Sequence, residues 1–566
     1  MHIRLFIGLL IAGSCAVAVG PSQDVIADRE PTITIAGVDW FKTRPQSYQG
    51  PTATGTSAFL AQTNPAPFKG QHRYIPNNPL EMSEPILGAD GRSIFHKMGP
   101  WSPYYLSEDS FGVDEYPCPV GSNITQMHLL HRHGSRYPSG EGLHRWAKKI
   151  SEAVAKGVVF EGDLDFLNNW SSPLGQSILT ARGRQELFDS GVVNYYNYGS
   201  LYSNKDTKIV ARTTTQDRML KSAESFLSGF FGPEWTSYAN VLAMIESPGY
   251  NTSLAPSYAC PNSKRSRGYA RKALTHWKNK YLSERTSHLR HLTGGFHWTV
   301  KDTYSAQTLC AFETVAIGYS SFCKLFNYKE WEGFAYTHDI SSNAYSGFQS
   351  PIGRAKGITW VEEFLARVEH RKWDYPAGAT AANFTLNDQS ITFPLNQSLY
   401  LDFSHDHTIV SVLTAFGFKQ FSQFLPPNGP PKNQRYHTSQ VVPFAGRLNI
   451  EIIEAPYKIK TDRCHEDPDP YIRSTARTDY VHFILNQRTL PLHRSFRKCE
   501  ARSDGWCELE TFLKIQKHSF DRAEFEYACR GQWGTGSLEY SDHIHDGVPP
   551  QSGKSSGIHE CTSFVS

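Results

Sequence analysis

Three times along this chain a short apolar run ends in a polar, charged turn, and an amphipathic pattern with helical spacing takes over. The first run, ITQMHLL at residues 124–130, passes through RHGSRYP at 132–138 into a segment that places Leu143, Trp146, Ala147, Ile150 and Val154 on one face. The second is shorter, with KIVA at 208–211, then RTTTQD at 212–217, then Met219, Ala223, Phe226 and Phe230 at i, i+4, i+7 and i+11. The third runs LYLDF at 399–403, then Ser404, His405, Asp406 and His407, then Ile409, Val412, Leu413 and Phe416. Each reads as strand, turn and helix, the repeating unit of an α/β fold.

In such sheets ligands bind at the carboxyl ends of strands, where the following helices aim free N–H groups at anions. Three strand ends side by side would gather Arg132, His133, Arg136, Arg212, His405 and Asp406 into one cleft. Taken singly, each turn reads at least as well as a solvated loop.

The flanks are different in kind. Residues 1–18 carry an early Arg4, an apolar run at 5–12 and the small residues Ala16, Val17 and Ala18, the pattern of a secretory signal peptide. That run is shorter than the roughly 20 residues a membrane span requires, so a membrane partner is not expected. Residues 19–90, rich in Pro, Gly, Thr and Gln, read as an extended N-terminal arm that could bring subunits together as a homo-oligomer. The tail at 531–566 turns polar and glycine-rich.

With 39% apolar and 20% charged residues over 566 positions, the chain should fold with an ample core. A net charge of +3, with 57 basic residues in no long run, gives no reason to expect a nucleic-acid partner. Twenty-three histidines would make the protein sharply more cationic below about pH 6, which favours an anionic substrate in acid. Of ten cysteines, all but Cys15 lie past the signal peptide, where an oxidising compartment would pair them and leave one over. Close spacing suggests Cys310 with Cys323 and Cys499 with Cys507, while the absence of C-x-x-C argues against a zinc ribbon or a redox centre. Sequons at Asn123, Asn169, Asn251, Asn383 and Asn396 fit a secreted or cell-wall glycoprotein.

A phosphate monoester is an anion whose transferring phosphoryl group spreads charge over three oxygens. Arg132, Arg136 and Arg212 with a protonated His405 could neutralise it without a metal or other cofactor, guanidinium forks being suited to phosphate. His133, between two arginines, should keep a lowered pKa and serve as a nucleophile, passing through a phosphohistidine. Asp406 is placed to protonate the leaving alkoxide, and an unperturbed Asp titrates near 3.9, which predicts an acidic optimum.

Three rivals share parts of this pattern. A metal-dependent phosphohydrolase would use His131-x-His133, His405-x-His407 or the cluster around His465 and Asp467, but no HExxH occurs and Arg132 would repel a dication. The match to G-x-S-x-G at 553–557 sits in the polar tail with no strand before it. A non-catalytic secreted phosphate-binding glycoprotein would need the arginines but not His133 or Asp406, and both are present.

Taken together, QMHLLHRHGSRYP, SILTARGRQELFDSG, SAESFLSGFFG, NTSLAPSYACP, TLCAFETVAIGYSSFCKLF, SPIGRAKGITWVEEFLARV and DFSHDHT make the chain resemble the histidine acid phosphatases, in their fungal phytase and 3-phytase B-like branch, over residues 93–530. The resemblance implies a phosphoglycerate mutase-like α/β domain, with a mixed central sheet flanked by helices at 91–215 and 371–530 and a mainly α-helical cap at 216–370. It implies His133 as nucleophile, Asp406 as proton donor, and Arg132, Arg136, Arg212 and His405 as phosphate ligands. The substrates it implies are small phosphate esters, including phytate attacked first at the 3-position. It also implies a pairing of Cys118 with Cys464, which stays open because Cys118 stands fourteen residues before Arg132 where relatives have about ten. His407 follows the His-Asp pair where Asn is usual, and when protonated it would lower the pKa of Asp406.

Overall fold

The computed structural model describes residues 86–550, apart from 107–110, 203–206, 377, 466, 534–539, 542–543 and 545. The signal peptide, nearly all of the arm and the end of the tail, with the 553–557 match, lie outside the described residues.

Strand β1 (Asn123–Arg132) alternates as a strand buried on both faces must. Met127 and Leu129 join one hydrophobic cluster, and Leu130 joins another on the opposite face. Further strands follow as β2 (Ile209–Thr214), β3 (Ala239–Met244), β4 (Leu399–Ser404), β5 (Arg447–Ala455), β6 (Lys458–Ile459), β7 (Tyr471–Ile472), β8 (Thr478–Leu485), β9 (Arg488–Thr489) and β10 (Cys507–Glu508). The main sheet runs β10-β8-β5-β1-β4-β2-β3, with β9 on β8, while β6 and β7 pair apart from it. Strands β1, β4, β2 and β3 are mutually parallel, whereas the pairs β1-β5, β5-β8 and β8-β10 are antiparallel. The expected mixed central sheet is therefore present. Because the four parallel strands share a direction, their carboxyl ends lie along one edge.

Between and after these strands the chain forms helices α1 (Gly142–Ala155), α2 (Ala181–Tyr198), α3 (Asp217–Phe231), α4 (Ser263–Tyr269), α5 (Arg271–Arg290), α6 (Val300–Ile317), α7 (Tyr328–Ser346), α8 (Gly353–Val368), α9 (Phe384–Asn387) and α10 (Asp406–Phe416). Residues of α2 and α3 bury Leu187, Phe226, Leu227 and Phe230 against Met127, Leu129, Leu401 and Phe403 of the sheet. On the other face α8 and α10 bury Trp360, Phe364, Ile409 and Leu413 against Leu130, Ile450 and Phe483. Gly357 lets α8 and α10 cross closely, since a Cβ there would stand 2.0 Å from the Ser411 carbonyl.

The segment 216–370 is not a uniform cap. Its first part supplies α3 and β3 to the sheet layer and its last part supplies α8, because these pieces carry apolar faces that only the sheet covers. A separate cluster gathers Leu282, Leu289, Leu309, Phe312, Trp331 and Phe334 from α5, α6 and α7. Trp146 and Ile150 of α1 join it, as do Ile94, Phe95 and Met98, so the helical layer draws on residues ahead of 216. Ordered packing begins by Ile86, inside the span read as arm, and the described part of the tail is also tied down. Trp533 and Ile544 are buried, and Asp546 pairs with Arg354 at 2.7 Å.

Disulfides join Cys310 to Cys323 and Cys499 to Cys507, as their spacing suggested, and Cys260 to Cys529. The pairing of Cys118 with Cys464 is not made. Cys464 is exposed, whereas Cys118 packs beside Ile453, Tyr471 and Trp506, and burial pushes its thiol up to about 12.

Candidate active site

The loop after β1 is strapped on both sides. His133 N–H donates to the Ser404 carbonyl of β4, and the His133 carbonyl accepts from Ala445 N–H. Ser135 donates from its N–H and its hydroxyl to Glu186 of α2 at 2.6 and 2.7 Å. Two glycines let α2 come this near: a Cβ on Gly134 would stand 2.1 Å from the Gly183 carbonyl, and one on Gly183 1.9 Å from that of Ser135. Thr180 caps α2 through Gly183 N–H at 3.1 Å, which fixes the partner helix in turn.

His133 is buried, and its Nδ1–H donates to the Gly134 carbonyl at 2.9 Å, leaving Nε2 as the lone-pair nitrogen. Burial, then the charges of Arg132, Arg218 and Arg136, hold its pKa well below the ordinary histidine value. The imidazole is thus neutral in acid, as a nucleophile requires.

Arg132, fully buried, donates to Asp406 Oδ2 at 3.0 Å, to the Val442 carbonyl at 2.8 Å and to the Pro100 carbonyl, with Phe444 beneath its guanidinium at 4.7 Å. Arg136 donates to the Tyr137 carbonyl at 2.8 Å, and burial together with Arg218 and Arg132 brings its pKa down to about 9, so it stays charged in acid. His405, the residue before α10, pairs through Nε2 with Glu246 at 2.9 Å, and its ring centroid lies 5.8 Å from that of His133.

Asp406 opens α10. Its Oδ1 accepts from His407 N–H at 2.7 Å and lies 3.2 Å from His407 Nδ1. Burial pushes the carboxyl up, but Arg132 and then His407 pull harder and hold it well below the usual carboxylate range. This departs from the simple expectation of an acid protonated on its own in acid solution: in the free protein Asp406 is an anion. Burial draws His407 down to about 4, so it is a neutral hydrogen-bonding neighbour over most of the range.

Arg212 does not join this group as the sequence suggested. Strand β2 continues through Thr213 and Thr214, so Arg212 lies within it, paired in register with Asp402, rather than past its end. Ala211 faces the α2 and α3 layer, and strand alternation turns Arg212 to the opposite side, toward α8. There its Nε and Nη2 donate to Asp402 at 2.7 and 2.6 Å, and Nη2 also donates to Glu363 at 2.7 Å. Burial opposes the charge, but the two carboxylates more than offset it and raise the pKa.

The β2 unit reaches the site one turn later instead. Arg218, in the first turn of α3, has no hydrogen-bond partner at Nε, and its charge depresses the pKa values of His133, Arg132 and Arg136 together. Glu246, just past β3, accepts from Thr214 Oγ1 at 2.7 Å and from Gln216, which links this unit to His405. Sequence reading missed both residues. The signal available for Arg218 was its place as the second residue of an amphipathic helix.

The metal alternative finds little support in the same geometry. Both ring nitrogens of His131 are engaged, with the Arg132 carbonyl at 2.6 Å and Ser190 Oγ at 2.8 Å. Among the described residues no three His, Cys, Asp or Glu side chains are grouped to hold an ion. Nor, among them, is any helix long and apolar enough to cross a membrane.

Two substitutions separate the arginines. Arg212→Met should leave buried Glu363 without its ion-pair partner and Asp402 with Arg367 alone, and cost about 3–5 kcal/mol in denaturant unfolding. Arg218→Gln should leave the unfolding midpoint unchanged while weakening inorganic phosphate binding, measured by calorimetry, by about tenfold or more. A stability loss for Arg218→Gln matching that of Arg212→Met would contradict the division.

Residues 123–486 match a family model described as histidine phosphatase superfamily (branch 2). Phytase A of Aspergillus fumigatus is 28% identical over 444 residues, spanning 74% of this chain and 87% of that protein. Phytase A of Aspergillus oryzae is 28% identical over 439 residues, spanning 74% and 88%. Among solved structures, the phytase from D. castellii superposes with a TM-score of 0.62 at 19% identity, over 83% of this chain and 94% of that one, a likeness of fold.

Proposed function

The chain belongs to the histidine phosphatase superfamily, branch 2, and we propose that it is a secreted acid phosphatase that hydrolyses phosphate monoesters, phytate among them, through a phosphohistidine on His133. It is a phosphoric monoester hydrolase. One observation carries the mechanism: a neutral, buried imidazole, its Nε2 lone pair unused, lies among Arg132, Arg136, Arg218 and His405, with Asp406 held by Arg132.

The ester's phosphoryl oxygens are neutralised by the three guanidiniums and His405. Nε2 of His133 attacks phosphorus in line, and the bond to the leaving oxygen breaks as Asp406 hands that oxygen a proton. Water then attacks the phosphohistidine, Asp406 takes the proton, and inorganic phosphate leaves. Because Asp406 is anionic in the free protein, its proton must arrive with the substrate. A phosphate dianion on Arg132 offsets the charge that held the carboxyl down, so its pKa rises when the site fills. Acid favours that coupled uptake, which supports an acidic optimum.

Secretion rests on the N-terminal signal pattern, the five sequons and the disulfides. Mixing the protein with a 32P-labelled alkyl phosphate and quenching at alkaline pH should trap label that is released by acid and maps to His133. Complete absence of label at every mixing time, with turnover continuing, would exclude the covalent route.

A further inference from the structure

Helix α8 carries a buried lysine that the reaction above does not use. Lys356 is fully buried, and both of its hydrogen bonds go to uncharged oxygens at the end of α7, the Tyr345 carbonyl at 2.7 Å and Ser346 Oγ at 2.9 Å. Its Nζ also lies 3.6 Å from the centroid of the Tyr345 ring. Its amine donates to two of the last polar oxygens of α7, while burial and then Arg267 hold its pKa well below the ordinary lysine value. Filling the same volume with leucine or methionine would remove both donors, so the amine does what packing alone does not.

The end of α7 leans in turn on α10. The Ser346 carbonyl accepts from Ser411 Oγ at 3.3 Å and Thr414 Oγ1 at 3.4 Å, and the Tyr345 ring lies 5.9 Å from that of His407. Tyr345, Ser346, Asp406 and His407 then line one cavity of about 540 Å³ beside Trp101. Charged and titratable groups act on it from every side: Arg132 from β1, Arg218 from α3, His133 and His405 from the strand ends, Arg267 from α4, Lys278 from α5 and His338 from α7. Lys356 is the contribution of α8.

We propose that Lys356 is a positioning residue for the proton donor: by clamping the last turn of α7 it seats Tyr345 beside His407, and His407 holds the Asp406 carboxyl at the wall of the leaving-group cavity. The inference rests on Asp406 being that donor. The hydrogen bonds of Lys356 go to α7 and not to the phosphate-binding side chains, so its loss should be felt in phosphorylation of the enzyme where the leaving group needs a proton and not where it does not.

The test assays Lys356→Met and Lys356→Arg with an alkyl phosphate and with p-nitrophenyl phosphate across the acid range. For the methionine variant, kcat on the alkyl ester should fall about tenfold and its pH profile move, while the pre-steady-state rate of nitrophenolate release from the aryl ester stays within about twofold. Arginine should restore the alkyl rate in large part. Lys356→Leu, which makes neither hydrogen bond, gives the same readout if the methionine variant is insoluble. Parallel losses of the alkyl kcat and the aryl burst rate, or no change in either, would overturn the inference. Failure of the unmodified protein on both esters would instead overturn the proposed function itself.

Discussion

His133→Ala should lower kcat on every phosphate ester by at least about 10⁴-fold, because the lone pair that attacks phosphorus is removed with the imidazole. The loss should be one of chemistry and not of assembly. Loop 132–137 is held by backbone bonds to Ser404 and Ala445 and by Glu186, none of which involves the imidazole. Arg132, Arg136 and Arg218 remain, so calorimetry should find inorganic phosphate bound within a few-fold of its original affinity. An alanine variant that keeps a tenth of the original kcat would refute the assignment of the nucleophile.

Asp406→Asn should split the two half-reactions. Asparagine cannot protonate an alkoxide, so alkyl phosphates should slow by about 10²–10⁴-fold. An aryl ester such as p-nitrophenyl phosphate leaves as a stable phenoxide and should still phosphorylate His133. The second step, however, then lacks its base. Stopped-flow absorbance should therefore show a burst of nitrophenolate equal to the enzyme concentration, followed by slow turnover. Equal steady losses on both esters without a burst would mean that Asp406 is neither acid nor base.

How much of this could be read beforehand differed from unit to unit. The first and third units were legible because their strands end within two residues of the apolar run, at Arg132 and Ser404, and the chemistry comes at once. The second was misread by its boundary. Thr213 and Thr214 are polar, so the apolar run stops at Ala211, but β-branched residues extend a strand, and the three extra residues moved Arg212 into the interior. What made that interior tolerable, Asp402 beside it and Glu363 on α8, comes from chain segments far away, and no local pattern announces such a pairing. The helical layer was mis-bounded for a similar reason. Residues 86–105 have no periodicity of their own, yet Ile94, Phe95 and Met98 are buried by helices that arrive two hundred residues later.

The sheet order has a consequence for how the protein is made. Strand β1 lies between β4 and β5, so both of its edges wait for residues 399–404 and 447–455 to be synthesised. At about 10 residues per second that is some tens of seconds during which an apolar strand stands with both edges open, the state most prone to wrong pairing. A nascent chain must therefore be sheltered through most of its elongation. It has no phosphate site to display until its last third emerges, so a chain that terminates before then is catalytically silent as well as unfolded.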